Sequence, residues 1–176
     1  MAARSIATLS VSRAPGSTTR GILRAGSLRV PCALGRSGLS RTKKEGDGAT
    51  PTGTFALVAV LYRPDRWQRP QTELPVTAIA PDSGWCDDPT DKNYNRAVRL
   101  PYSASHERLW RRDGLYDVVV VLDYNLKPTV AGKGSAIFLH IARENFAPTE
   151  GCVAISAAAM RRLLPLIGPG TKIVIR

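Results

Sequence analysis

Fifteen glycines and thirteen prolines are spread along this 176-residue chain. Neither residue sits well inside a helix: proline removes a backbone donor and clashes with the preceding turn, and glycine costs backbone entropy. Their spread divides the sequence into short elements and argues against a helix-rich bundle. The expectation is a mainly β fold, a β-sandwich-like architecture with one or two helices. The length suits one domain over residues 1–176. Hydrophobic residues make up 43% of the chain, which is ordinary for a globular protein and argues against disorder. No apolar run approaches the roughly 18 residues of a membrane span, so no transmembrane anchor is expected.

Strand-like runs recur. Ile6, Leu9 and Val11 mark the first. Gly21 to Arg24 and Leu28 to Leu34 follow, separated by Ala25-Gly26-Ser27. Ser40 to Thr54 is a polar, glycine-rich loop, and Phe55 to Tyr62 is a Val- and Leu-rich strand. Residues 63–115 are irregular and interrupted by six prolines. Within them Val76 to Ala80 reads as a short strand, Asp82 to Arg99 as a long functional loop, and Ser103 to Arg112 as a short helix. Asp117 to Asp123, with four consecutive valines, and Ala136 to Ile141 are buried-strand candidates. Ser156 can cap a helix over Ala157 to Ile167, whose apolar residues follow helical spacing. Gly168-Pro169-Gly170 stops it before a last strand, Lys172 to Arg176.

The net charge of +11 is uneven. Residues 1–44 hold nine Lys or Arg and no carboxylate. Such a segment is a solvated basic face or an attractor of an anionic polymer, either cell wall or nucleic acid. Nucleic acid is not expected as a partner, because the cations come singly and no stacking aromatics lie among them. An organelle transit peptide fits poorly with the strand-like alternation from Ser5 to Ser12. No apolar h-region marks a secretory signal.

Two segments near the C-terminus carry the chemistry. Ile137-Phe138-Leu139-His140 is an apolar run ending on a histidine. Twelve residues later comes Cys152, which follows Thr149-Glu150-Gly151 and opens a second apolar run. A thiol and an imidazole at the ends of neighbouring elements suffice for nucleophilic acyl transfer, the imidazole accepting the thiol proton. Gly151 removes a side chain where a substrate would approach the backbone. The plainer alternatives are a buried structural cysteine and a core histidine. His106, in Ser105-His106-Glu107, fits an exposed helix position, with a substrate contact left open. A zinc site from Cys86, His106, His140 and Cys152 lacks the close ligand pairs such sites use, so no metal and no cofactor is expected. Cys32 reads as a small buried hydrophobe and Cys86 as part of a polar loop. A Cys32–Cys86 disulfide would leave Cys152 free.

Three ordered segments resemble the L,D-transpeptidase catalytic domain (YkuD-type) family. Thr50-Pro51-Thr52-Gly53-Thr54-Phe55 is similar to the family's Thr-Pro-x-Gly-x-Phe segment. Phe138-Leu139-His140 is similar to the strand ending in its first motif histidine. Thr149-Glu150-Gly151-Cys152 is similar to its Ser/Thr-His-Gly-Cys motif. Glu150 replaces a histidine, Ile141 stands where Gly or Ser is usual, and Ala154 where Arg or Asn is frequent. The resemblance implies a cysteine-dependent transferase acting on peptidoglycan stem peptides, with Cys152 as nucleophile and His140 as base. The Ile141 carbonyl would orient His140. The oxyanion would rest on the Cys152 N–H and one from the Glu150-Gly151 turn. Hydrolysis of the same type of bond is the alternative activity, and a non-catalytic basic wall-polymer module the alternative class. The resemblance implies work in the periplasm or cell envelope and acylation of the cysteine by carbapenems. Arg143 is a carboxylate clamp or a solvated arginine. Thr149 and Glu150 would touch substrate. Tyr116, Tyr124 and Trp85 line the cleft or belong to the core.

Overall fold

The structure is a computed structural model that describes residues 5–176. Arg4 of the basic N-terminal segment lies outside the described residues. The strands in chain order are β1 (Thr8–Arg13), β2 (Arg20–Ala25), β3 (Leu28–Ala33), β4 (Leu39–Ser40), β5 (Thr50–Pro51), β6 (Gly53–Tyr62) and β7 (Val76–Ala78). They continue as β8 (Ser83–Cys86), β9 (Ala97–Arg99), β10 (His106–Arg108), β11 (Val118–Leu122), β12 (Phe138–Ile141), β13 (Val153–Ile155) and β14 (Lys172–Ile175). One α-helix, α1 (Ala157–Leu163), runs into a 3₁₀ turn over Leu164–Leu166. The fold is mainly β, with 37% strand and 8% helix, as the glycine and proline spread implies. No helix is long and apolar enough to cross a membrane among the described residues.

The main sheet runs β11-β12-β13-β3-β2-β1-β14-β6-β7, and a further β11–β6 pairing closes eight of these strands into a ring. Strand β6 makes closure possible because it is ten residues long. Its first half pairs β14 and its second half pairs β11. A register shift at Val121/Leu122 bends the ladder where the two meet. The ring's interior is filled by Leu9, Val11, Leu23, Val60, Val120, Leu139, Val153 and Ile173, all fully buried. Helix α1 packs Met160 and Leu163 into the same cluster. Ser156 caps the helix by accepting a hydrogen bond from Ala159 N–H at 3.2 Å.

Side chains alternate across the wall, so every second residue of β11 and β12 faces outward. Val119, Val121 and Phe138 form a second apolar cluster there, with Trp85, Leu109, Leu115 and Tyr116. Over it lies a separate three-stranded sheet, β10-β8-β9.

This small sheet corrects two expectations. Asp82 to Arg99 is not a loop throughout: β8 and β9 occupy its ends. Ser103 to Arg112 is not helical, because His106–Arg108 pairs with Gly84–Cys86. Three-residue strands are too short to show a period, and tertiary pairing overrides local helix propensity. Cys86 ends β8 fully buried, not in a polar loop. Cys32 is buried in the ring's core, and all three cysteines are free, so the Cys32–Cys86 disulfide does not form.

Candidate active site

His140 and Cys152 meet because β12 and β13 are adjacent parallel strands. The register pairs Leu139 with Val153 and His140 with Ala154. Phe138 and His140 share the outward face of β12, and Cys152 and Ala154 share that of the chain entering β13. His140 and Cys152 are therefore diagonal neighbours, roughly 8 Å apart at the backbone given ordinary strand spacings. Both line a cleft of about 400 Å³ on the outer wall of the ring. The small sheet supplies its opposite side through Asp87, Glu107 and the following Arg111.

The turn before Cys152 is held from two directions. Thr149 Oγ1 donates to the Cys152 carbonyl at 2.6 Å and accepts from Gly151 N–H at 3.1 Å. Thr50 Oγ1 donates to the same carbonyl at 3.4 Å and accepts from Gly35 N–H. Thr50, fully buried, thus ties the Thr-Pro segment to a residue 102 positions away. Gly151 has φ +139, and a Cβ there would lie 2.8 Å from the Ala49 carbonyl oxygen, so a side chain is excluded. The Gly151 N–H is committed to Thr149. The Cys152 N–H has no acceptor among the described residues.

His140 is 5% exposed. Its Nδ1 lies 2.8 Å from the Ile141 carbonyl oxygen, which can only accept, so Nδ1 carries the proton and Nε2 a lone pair. Tyr116 packs edge-on against the imidazole, centroids 5.2 Å apart, and donates its hydroxyl to Glu107 at 2.6 Å. Burial pushes the imidazole pKa down to about 4, partly opposed by the Ile141 carbonyl. Burial also pushes the Cys152 thiol up to about 12, with the Glu107 charge adding to it. The resting pair is a neutral thiol and a neutral imidazole. The thiol donates to the Ala136 carbonyl at 3.2 Å and accepts from Phe138 N–H at 3.4 Å.

A pH dependence of stability follows. Above pH 6.5 the imidazole is neutral whether folded or unfolded. Below it the unfolded chain takes up a proton that the folded site refuses until about pH 4. Stability is therefore lost as pH falls from 6.5 to 4, by about 3 kcal/mol at the limit. Glu107, its carboxyl raised mainly by burial, acts with the opposite sign at the acid end. The His140 share is isolated by urea unfolding of wild type and His140→Gln at pH 7 and 4.5. The gap between the two proteins should narrow by the larger part of that amount at the lower pH.

Of the other residues singled out in the sequence, Thr149, Glu150, Tyr116 and Arg143 line the cleft. Glu150 points outward at the rim, 78% exposed, and accepts from Arg36 Nε at 2.9 Å. Trp85, Tyr124 and His106 do not line it. Trp85 is buried under the floor, edge-on to Phe138 at 5.1 Å, with Nε1–H donating to Asn95. Tyr124 packs on Phe55 and donates to the Lys133 carbonyl. His106 packs edge-on against Tyr102, its Nδ1 2.8 Å from the Ala104 carbonyl oxygen.

Sequence reasoning missed Lys43, Asp87 and Glu107. Lys43 is 8% exposed, pairs with Asp47 at 2.8 Å, and brings Nζ to 3.2 Å from where a Gly151 Cβ would stand. Asp87 Oδ1 is a buried oxygen with no partner among the described residues. Glu107 neighbours His106, and on a strand the two face opposite ways. A helical reading of that segment picks the wrong one. Among the described residues no group of three or more His, Cys, Asp or Glu is placed to hold a metal.

The family model of the L,D-transpeptidase catalytic domain (YkuD) matches residues 17–175. The chain belongs to that family. The match covers nearly all of it, including the irregular stretch from which the small sheet is built. No curated protein and no solved structure gives a match. Membership ties the chain to a family that acts on peptidoglycan and works in the cell envelope. In this L,D-transpeptidase-type chain, Cys152 and His140 lie together at the cleft floor.

Proposed function

We propose that this protein is a cysteine-dependent peptidoglycan L,D-transpeptidase of the cell envelope. The observation that carries the proposal is the placement of Cys152 and His140 on one face of adjacent strands, with the His140 Nε2 lone pair left free. The thiol leaves the Ala136 carbonyl and attacks the carbonyl that follows the L-centre of the diamino acid at stem position three. His140 Nε2 takes the thiol proton. The tetrahedral oxyanion accepts from the Cys152 N–H, and the nearby Lys43 ammonium adds positive charge. On collapse, His140 returns the proton to the departing D-alanine amine, leaving a thioester on Cys152. A neutral amine of a second stem then attacks the thioester and gives its proton to His140; as the amide forms the C–S bond breaks, and His140 passes that proton to the departing Cys152 thiolate, restoring the thiol.

Transfer is favoured over hydrolysis by the small sheet's side of the cleft. The buried Asp87 oxygen lacks a donor, and an ammonium supplies one. The test is incubation with a disaccharide-tetrapeptide, followed by mass spectrometry. Crosslinked dimers are expected. Tripeptide alone would make the protein an L,D-carboxypeptidase. Neither product, together with no carbapenem adduct on Cys152, would leave a non-catalytic wall-binding module.

A further inference from the structure

The basic N-terminal segment has a definite place in the fold. Strands β3, β2, β1 and β14 form the part of the ring wall that the small sheet leaves uncovered. Leu9, Val11, Leu23 and Ala25 point inward, fully buried. The alternate residues Arg20 and Arg24 point outward and are exposed. By register, Arg29 stands directly opposite Arg24, Lys172 is paired with Thr8, and Arg176 continues β14 on the same outer side. Five cations thus share one sheet face. None of them takes part in a salt bridge among the described residues.

Two features separate this face from an ordinary solvated surface. Like charges directly opposite on neighbouring strands disfavour the sheet, so the Arg24–Arg29 pair does not serve folding. The face is also continuous with the cleft. Pairing partners form a single transverse row, His140–Ala154–Ala33–Arg20. Three strand spacings, about 14 Å, separate the His140 backbone from Arg20. Arg20 also donates to the Asn145 carbonyl at 2.7 Å, two residues beyond Arg143 at the cleft mouth. Arg24 and Arg29 lie about 13 Å farther along the strands.

We infer that this face is a docking surface for a linear polymer bearing repeated carboxylates: the uncleaved peptidoglycan strand, one of whose stems occupies the cleft. The inference rests on the proposed function only for the identity of that polymer. Four of the five cations are arginines, whose planar forks match carboxylates in two-point contact. The face carries no aromatic side chain on which a base could stack, which disfavours single-stranded nucleic acid. Its residues include no exposed large hydrophobic to enter a bilayer; among the described residues that description fits Val130, which lies elsewhere. Neighbouring stems held by Arg20, Arg24 and Arg29 would keep the strand on the enzyme while one stem reacts.

Sedimentation with insoluble peptidoglycan at low salt tests this. Wild type and Cys152→Ala should bind alike. Arg24→Gln/Arg29→Gln, and separately Lys172→Gln/Arg176→Gln, should bind about tenfold more weakly, and 0.5 M salt should release all of them. Both double variants should melt no lower than wild type and keep wild-type turnover of the soluble disaccharide-tetrapeptide. The inference is overturned if a folded double variant binds like wild type, or if peptidoglycan with amidated carboxylates binds equally well. It is also overturned if an oligonucleotide or anionic vesicles bind more tightly. Arginine-dependent binding by a protein inert toward the tetrapeptide would retain the surface and reject the proposed activity. Crosslinking without such binding would do the reverse.

Discussion

Replacing Cys152 by alanine is expected to abolish both crosslinking and tripeptide formation, a loss of about 10⁴-fold or more, as when a covalent nucleophile is removed. The fold should survive. The thiol contributes two long sulfur contacts, to the Ala136 carbonyl and the Phe138 N–H, and the turn itself is held by Thr149 and Thr50 through the Cys152 carbonyl. The stability change should stay within about 2 kcal/mol, the scale of losing a small buried side chain. Intact-protein mass after carbapenem exposure gives a second readout: an adduct on wild type and none on the variant. An alanine variant that still formed dimers would reject Cys152 as the nucleophile.

The second large effect is expected from His140→Gln. Glutamine preserves a polar side chain beside Tyr116 but offers no lone pair on a ring nitrogen. The loss expected is about 10²–10⁴ in rate, the usual contribution of a positioned general base. The wild-type profile gives a sharper test. Because burial pushes the imidazole pKa down to about 4, the group stays unprotonated well below the ordinary histidine range. The acid limb of the wild-type rate should fall near pH 4 rather than 6.5. In His140→Gln the remaining slow reaction should lose that limb. Single-turnover acylation, followed from pH 3.5 to 7, measures both.

The long strands and the pair at the cleft floor are legible in the sequence for the same reason. Val118 to Val121 and Ile137 to Leu139 are apolar because they are buried on both faces, one toward the ring's interior and one under the small sheet. A histidine ending such a run stands out. The closure of the ring does not, since it depends on β6 pairing two different strands along its length. The segment from Ser83 to Arg108 is harder still. Its three strands hold three or four residues each, and their partners are one another rather than the main sheet. That gap explains why His106 stood out and Glu107 did not. Trp85 reads as either a cleft or a core residue for a related reason: an aromatic in a supposed loop looks available, whereas on β8 it is committed to Phe138. Lys43 was hidden within a run of cations. Burial, the ion pair with Asp47 and the approach to Gly151 and Gly134 distinguish it from the exposed Arg41 and Lys44.

The β11–β6 pairing also bears on how the chain behaves among many copies of itself. A sheet that closes on itself leaves few unpaired backbone donors and acceptors to recruit a strand from another molecule. In the main sheet the appended strand is β7, three residues long, beside a segment broken by Pro70, Pro75 and Pro81. A wall rich in valine, leucine and isoleucine can then persist at high local concentration without seeding intermolecular β-structure.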